Sequence, residues 1–260
     1  MRARNVAIIT GSASGIGAAT AVLLAQRGWN VVVNYSKSAD GAAETARACE
    51  ALGAEALQCR ANVAEDADCR RMAAETIARW GRVDALVNSA GTTKFAAHAD
   101  LDALSAEDFL HIYRVNTVGP YQMTRAVAPH MKAAGRGAVV NISSIAGLRG
   151  TGSSIAYAAS KAALNAVTMS LARVLGPEIR VNAVCPGMTQ GRWLRENLGA
   201  EKYEAQMRHW EQNTPLQRVA TPAEVASAVM WFIEQADLVT GQVLVLDSGF
   251  TLGPVPRHAR

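Results

Sequence analysis

The 260 residues include 26 Lys and Arg against 22 Asp and Glu, a net charge of +4 at pH 7, with 50% hydrophobic and 18% charged residues. That balance suits a globular chain with a sizeable core, and its basic residues form no stripe or patch, which argues against nucleic acid as a partner. The longest apolar stretches, such as Val31-Val32-Val33 and Val243-Leu244-Val245-Leu246, fall far short of the roughly 20 residues needed to cross a bilayer, so no membrane span is expected.

The basic start Met1-Arg2-Ala3-Arg4 runs directly into Val6-Ala7-Ile8-Ile9 without a signal-peptide pattern, and a cytoplasmic location is expected. The densest basic piece is the tail Arg257-His258-Ala259-Arg260. Cys49, Cys59, Cys69 and Cys185 show no C-x-x-C pairing and read as reduced structural thiols. His98, His111, His130, His209 and His258 are scattered without metal-ligand spacing, so no metal is expected. No linker, low-complexity tract or repeat interrupts the chain, which reads as one domain over 1–260.

In chain order, the first strand is predicted at Val6 to Thr10, followed by a Gly-rich turn and a helix from Ile16 to Arg27. A strand at Val31 to Tyr35 precedes a helix from Asp40 to Leu52, and a strand at Ala56 to Ala61 precedes a helix from Asp66 to Trp80. Next come a strand at Ala85 to Asn88, a long helical segment from Ala106 to Ala134, and a strand at Ala138 to Ser143. A helix from Ile155 to Leu175, a strand at Val181 to Cys185, a helix from Pro222 to Glu234 and a strand at Val243 to Leu246 complete the series. Strands that read as continuous apolar runs and alternate with helices imply an α/β protein. The expected fold is a doubly wound Rossmann fold of about seven parallel strands with helices on both faces.

Between the first strand and helix lies Thr10-Gly11-Ser12-Ala13-Ser14-Gly15-Ile16-Gly17. Glycines there allow a tight turn and bring a pyrophosphate close to the helix N-terminus, although a purely structural strand-to-helix turn would look similar. The spacing G-x-x-x-G-x-G is not the general G-x-G-x-x-G. An NTPase loop would need Gly-Lys-Ser/Thr after the glycines, and a hydrolase elbow would need Ser where Ala13 stands. Farther on, Tyr157 and Lys161 are spaced i, i+4, which puts a phenol and an ammonium on one helix face. A fixed cation there would favour the phenolate and lower the phenol pKa. Solvated helix faces also carry such pairs by chance.

With the Gly loop, Asn88-Ser89-Ala90-Gly91, Asn116, Asn141-Ile142-Ser143-Ser144, Tyr157-x-x-x-Lys161 and Pro186-Gly187 in this order, the chain resembles the short-chain dehydrogenases/reductases over nearly its whole length. Val33-Asn34-Tyr35-Ser36 and Val239-Thr240-Gly241-Gln242 make it most similar to the 3-oxoacyl-(acyl-carrier-protein) reductase-like members. The resemblance implies a catalytic set of Asn116, Ser144, Tyr157 and Lys161. Tyr157 would be the general acid in carbonyl reduction and the base in the reverse reaction. Lys161 would tune it and hold the nicotinamide ribose, and Ser144, with Ser143 as a nearby competitor, would hold the substrate oxygen. Asn116 would hold a water that links Lys161 to solvent, or would simply be a polar residue that distorts its helix.

Cofactor contacts are implied from Gly11, Ser12, Ser14, Gly15, Ile16 and Gly17 in the loop, from Tyr35 and Ser36 after the second strand, and from Asn62, Val63, Asn88, Ala90 and Gly91. Tyr157, Lys161, Pro186, Gly187 and Thr189 complete that set. Residues Asn34 to Ser38 contain no carboxylate to grip a ribose 2′-hydroxyl, and Lys37 offers a cation to a 2′-phosphate. NADP(H) is therefore expected over NAD(H), which remains possible if Lys37 is an ordinary solvated lysine. Three residues depart from the family pattern: Asn62 stands where Asp is usual, Ser89 replaces the second Asn of the Asn-Asn-Ala-Gly turn, and Gly191 stands where Thr often follows Pro-Gly.

The expected partner is a small carbonyl or alcohol substrate. Met188 to Asn213, with Trp193, Leu194, Leu198, Tyr203, Met207 and Trp210, reads as a lid over the substrate or as an ordinary packed face. Family members commonly form tetramers through the helices corresponding to Ala106 to Ala134 and Ile155 to Leu175 and through the C-terminal strand, so a homotetramer is expected. The alternatives are a dinucleotide-binding sensor without turnover, or a redox-neutral hydratase or epimerase on the same scaffold.

Overall fold

The computed structural model describes residues 4–253, the side chains of Arg192 and Trp193 excepted. The first residues of the basic start, the basic tail with His258, and the side chain of Trp193 lie outside the described residues. Seven strands are seen: β1 (Val6–Thr10), β2 (Asn30–Tyr35), β3 (Ala56–Arg60), β4 (Ala85–Asn88), β5 (Gly137–Ile142), β6 (Ile179–Pro186) and β7 (Val243–Leu246). They form one parallel sheet in the order β3-β2-β1-β4-β5-β6-β7.

The helices are α1 (Gly15–Gln26), α2 (Ala39–Ala51), α3 (Asp66–Trp80), α4 (Ala106–Tyr113), α5 (Gly119–Ala133), α6 (Ala146–Arg149), α7 (Ile155–Leu175), α8 (Arg192–Leu198), α9 (Ala200–Asn213) and α10 (Pro222–Glu234). The continuous apolar strands are explained by burial on both faces. In β1, Ala7 and Ile9 pack with Leu24 of α1, Ala46 of α2 and Val229 of α10, whereas Ile8 packs with Met72 of α3 and Val127 and Met131 of α5. Each face therefore uses alternate residues of the same strand, and neither face can be polar. No helix among the described residues is long and apolar enough to cross a membrane.

The chain runs outward from β1 to β3 and returns to start the other half at β4. This reversal opens a crevice beyond the carboxyl ends of β1 and β4, where open α/β sheets bind their ligands. The two loops there touch: a Cβ added at Gly11 would lie 2.7 Å from Ala90 Cα, and Gly11 also has φ +63. Only glycine meets both demands.

One predicted element is corrected. The single helix expected from Ala106 to Ala134 is divided into α4 and α5 by a wider π-type turn at Arg114–Val118. The cause is tertiary. Asn116 Nδ2 donates to Thr92 O at 2.9 Å and to Ser160 Oγ at 3.0 Å, its Oδ1 accepts from Thr92 N at 2.8 Å, and Thr117 Oγ1 donates to Ser160 O at 3.0 Å. These bonds pull one turn of helix toward α7, and such bulges are frequent at functional sites. The 188–213 segment, whose apolar residues lie at near-helical spacing, holds α8 and α9, packed on a small core of their own around Ile145, Cys185, Tyr203 and Trp210. The short α6 was not foreseen.

Candidate active site

A cleft of about 1020 Å³ runs along the carboxyl ends of the strands, from Tyr35, Ser36 and Lys37 past the Gly loop to Ser144, Tyr157 and the lid. At its chemical end, α7 starts where Ser154 Oγ accepts a hydrogen bond from Tyr157 N at 3.2 Å, which fixes Tyr157 in the first turn. Ser144 follows β5, its Oγ accepting from Ala146 N at 3.1 Å and lying within hydrogen-bonding reach of the Tyr157 phenol. Ser143, its competitor, is buried and donates to Lys161 O at 3.2 Å, so its hydroxyl serves the packing of α7 on β5.

Lys161 is buried, and Nζ donates to Ile142 O at 2.8 Å. Its backbone is gripped by α6, where a Cβ added at Gly147 would lie 2.5 Å from Lys161 C. The ammonium stands 5.7 Å from the centroid of the Tyr157 ring. A Cβ added at Gly91 would lie 3.8 Å from Lys161 Nζ and 3.5 Å from Asn116 Oδ1, so this glycine keeps open the space between the two side chains. Asn116 itself is buried and fully bonded to Thr92 and Ser160, without direct contact to Lys161.

The electrostatics correct one expectation. The edge of Tyr157 is open to the cleft, yet burial pushes its phenol up to about 12, against a smaller downward pull from the Ser144 hydrogen bond. Burial pushes the Lys161 ammonium down to about 8. The expected lowering of Tyr157 by Lys161 is thus absent from this structure, because desolvation disfavours both charged forms and the ammonium is engaged by Ile142 O. At neutral pH the phenol holds its proton, which is the form a proton donor needs.

The predicted cofactor residues divide into two groups. Gly11, Ser14, Gly15, Ile16, Tyr35 and the exposed Lys37 line the cleft at one end, with Ser36 beside them. Ala90 and Gly91 line its middle, and Pro186, Gly187 and Thr189 the far side. Ser12, in contrast, is turned inward: its Oγ donates to Ile9 O at 2.7 Å and accepts from Asn34 N at 2.9 Å, and its own N donates to Asn34 O at 2.9 Å. Gly17 lies under the loop, where a Cβ would be 2.5 Å from Gly11 O, so its contribution is close packing of helix against turn.

Three further residues stand outside the cleft lining. Asn88 is buried and donates to Asn141 Oδ1 at 2.8 Å, tying β4 to β5. Val63 packs against Gly119, and its carbonyl accepts from Gln122 Nε2 at 2.9 Å. Asn62 is exposed. Its N donates to Asp68 Oδ2 at 2.7 Å and its Oδ1 accepts from Ala64 N at 3.2 Å, which leaves the side-chain amino group to offer.

Sequence reasoning assigned no role to Asn34, whose Oδ1 accepts from Gly11 N at 3.0 Å while Nδ2 donates to Cys59 O and Ala61 O, both at 3.1 Å. It ties the Gly loop to β2 and β3, and a polar residue inside the apolar run of β2 was the available signal. Phe95, Ile145, His209 and Phe250 also line the cleft and were missed, since they are far apart in sequence and chemically unremarked.

The residues present suit a nicotinamide dinucleotide. The glycine-lined turn at the N-terminus of α1 can take a pyrophosphate, the cleft leads from there toward Tyr157, and the contact between Gly11 and Ala90 allows the backbone to form its floor. Comparison with known proteins agrees. Residues 11–251 match a family model described as enoyl-(acyl carrier protein) reductase. The chain is 43% identical over 244 residues, 94% of its length and 95% of the relative, to a protein named as ketoacyl reductase 2 of the granaticin polyketide synthase in Streptomyces violaceoruber. A crystal structure from Burkholderia xenovorans, assigned to the short-chain dehydrogenases/reductases, superposes with a TM-score of 0.90 at 43% identity and covers 97% of this chain and 100% of that one. A 7α-hydroxysteroid dehydrogenase in complex with NADH and 7-oxo glycochenodeoxycholic acid superposes with a TM-score of 0.86 at 31% identity, covering 95% of each chain. A parallel sheet of this order, a glycine-lined cleft, a Ser/Tyr/Lys cluster at its end and relatives of nearly full length place the chain in the short-chain dehydrogenase/reductase family, as an NAD(P)-dependent oxidoreductase acting on carbonyl or hydroxyl groups.

Proposed function

We propose that this chain is an NADP(H)-dependent ketoreductase that reduces a carbonyl to a secondary alcohol through Ser144, Tyr157, Lys161 and Asn116. The observation that carries this reading is the convergence of the Ser144 hydroxyl and a protonated Tyr157 phenol at one end of the cleft. Bound in the cleft, the dinucleotide supplies the hydride. Ser144 and Tyr157 donate hydrogen bonds to the carbonyl oxygen, and the Tyr157 proton moves to that oxygen as negative charge develops on it.

Lys161 holds its place through Ile142 O and offers its remaining donors to the ribose, while Asn116 shapes the opening beside Gly91 through which Lys161 and then Tyr157 regain a proton. The preference for NADP(H) is supported by Lys37, which lines the cleft after β2 in a segment without carboxylates. Michaelis constants for NADPH and NADH test it, and a lower constant for NADH would reject it. The matched control is Tyr157→Phe, and reduction surviving in that variant would reject the mechanism. Assembly as a homotetramer is part of the proposal, supported by Phe109, Leu110, Tyr113, Met169 and Val174, which expose apolar surface on α4 and α7. Light scattering reads the mass directly.

A further inference from the structure

The substrate half of the cleft holds a feature that the proton chemistry does not use. Trp210, on α9, and Phe250, in the 3₁₀ turn after β7, stack with ring centroids 4.1 Å apart and planes 13° from parallel. Both line the cleft. Trp210 is buried and Phe250 half-buried, so of the two stacked rings the phenyl keeps more surface for a ligand and the indole backs it. The indole is seated against the end of β6, where a Cβ added at Gly187 would lie 2.5 Å from Trp210 Cζ2 and 2.9 Å from Asp247 Cβ. Only glycine at 187 admits a ring there, so the plate is set by backbone as well as by side chains.

The indole carries a cost. Trp210 Nε1 is buried without an acceptor, a penalty that Phe at this position would avoid. Departures of this kind from the locally best residue concentrate where function needs them, and here the indole supplies a wide, rigid backing for Phe250. Around the plate stand Ile145, Met188, Leu194 and Leu198, and no Asp or Glu is among the described residues lining the cleft. A cationic substrate has nothing to pair with.

We propose that the Trp210–Phe250 plate is the specificity-determining element of this enzyme, selecting flat ring ketones without positive charge over flexible chain ketones of equal carbon number. The proposal rests on the ketoreductase reading of the same cleft. A ring lies on the preformed face of Phe250 with little freedom to lose, whereas a chain must be ordered bond by bond and finds no complementary edge. Because a rigid ligand has that advantage in any pocket, the informative quantity is how the preference changes when the plate is altered.

The experiment uses 2-tetralone and 2-decanone, matched in carbon number. Binding of each is measured calorimetrically to NADPH-loaded Tyr157→Phe protein, and kcat/KM for each on the otherwise unaltered enzyme. We expect 2-tetralone to be favoured about tenfold, Phe250→Leu to reduce that ratio to about threefold or less, and Phe250→Tyr, which keeps the ring face, to retain it. Equal or tighter binding of 2-decanone, a ratio untouched by Phe250→Leu, or the same loss in Phe250→Tyr would each overturn the plate. If Tyr157→Phe still reduces 2-tetralone, the proton-donor assignment falls instead, and the binding ratio continues to judge the plate alone.

Discussion

The two halves of the cleft are built on different principles. The floor of the dinucleotide half is backbone: Gly11 against Ala90, Gly17 beneath Gly11 and the Asn34 amide bonded to four main-chain groups hold the strand ends, and side chains such as Lys37 are added only at its rim. The substrate half is side chain, formed by the lid helices α8 and α9 and by Phe250. A fixed half serves one cofactor class, and an adjustable half lets the same sheet serve different carbonyls. Ser144, Tyr157 and Lys161 stand at the seam, held by β5 and α7 from the fixed side.

The largest expected effect is at that seam. Tyr157→Phe keeps the ring and removes the proton, and kcat should fall by about 10² to 10⁴ with the stability of the protein little changed. Steady-state rates alongside a thermal melt check both parts.

Next in size is a pair of glycine substitutions that separates steric contact from backbone conformation. Gly15 has φ +56 and nothing within 4 Å of an added Cβ, so Gly15→Ala should cost about 1–2 kcal/mol from the left-handed backbone alone. Gly11→Ala adds a collision with the backbone of residue 90 and should cost more than that, with loss of NADPH binding. Urea melts and cofactor titration measure the two. Equal costs would mean that the Gly11 to Ala90 contact yields easily and that the dinucleotide half is less fixed than its geometry indicates.

These glycines also show what was legible in the sequence. The strand-helix alternation and the extents of Asp66–Trp80 and Pro222–Glu234 follow from local rules, whereas the grouping of the Gly loop with Tyr157 and Lys161 came from the family resemblance, since the spacing of that pair alone is common on solvated helices. Gly81, with φ +70, ends the first of those helices, and a Thr221/Glu224 capping box with Pro222 starts the second. The helix expected from Ala106 to Ala134 is distorted at Asn116, as one of the two readings of that polar residue held, but its division into α4 and α5 rests on bonds from Asn116 to Thr92 and Ser160 that no local pattern carries. The inward turn of Ser12 and the pairing of Trp210 with Phe250 were hidden for the same reason, since each depends on a partner from a distant segment. The sign of the Tyr157 shift was misread because spacing reveals a neighbouring charge but not the depth of burial, and burial wins here.

Burial at the seam gives a pH-dependent prediction. Lys161 is pushed down to about 8 from an ordinary 10.5, so between these values the unfolded chain binds more protons than the folded one. Stability contributed by this group therefore rises with pH through that window. Lys161→Met lacks the term, and the stability difference between wild type and variant, read from urea midpoints at pH 7.5 and pH 10, should move in favour of wild type as pH rises. Cys49, Cys59 and Cys69, pushed up by burial, are common to both proteins and cancel; Cys185, which feels the Lys161 charge, does not, so both proteins are compared in a Cys185→Ala background. A difference independent of pH would show that Lys161 keeps its charge when folded.

The smallest effect is expected in the lid, set against a core reference: Leu24 of α1 is fully buried between helix and sheet, and Leu24→Ala should cost about 2–5 kcal/mol. Leu198, at the end of α8, is half-buried and faces the cleft, and it packs on the small core beneath the lid. Leu198→Ala should cost less than about 1.5 kcal/mol, because much of its apolar area is open to solvent before substrate arrives. Its effect should instead be a rise of KM with kcat nearly kept, since the contact forms equally with substrate and transition state. If kcat falls along with the rise in KM, the lid takes part in placing the carbonyl against Ser144 and Tyr157, and the substrate half is less adjustable than the comparison with the Gly loop implies.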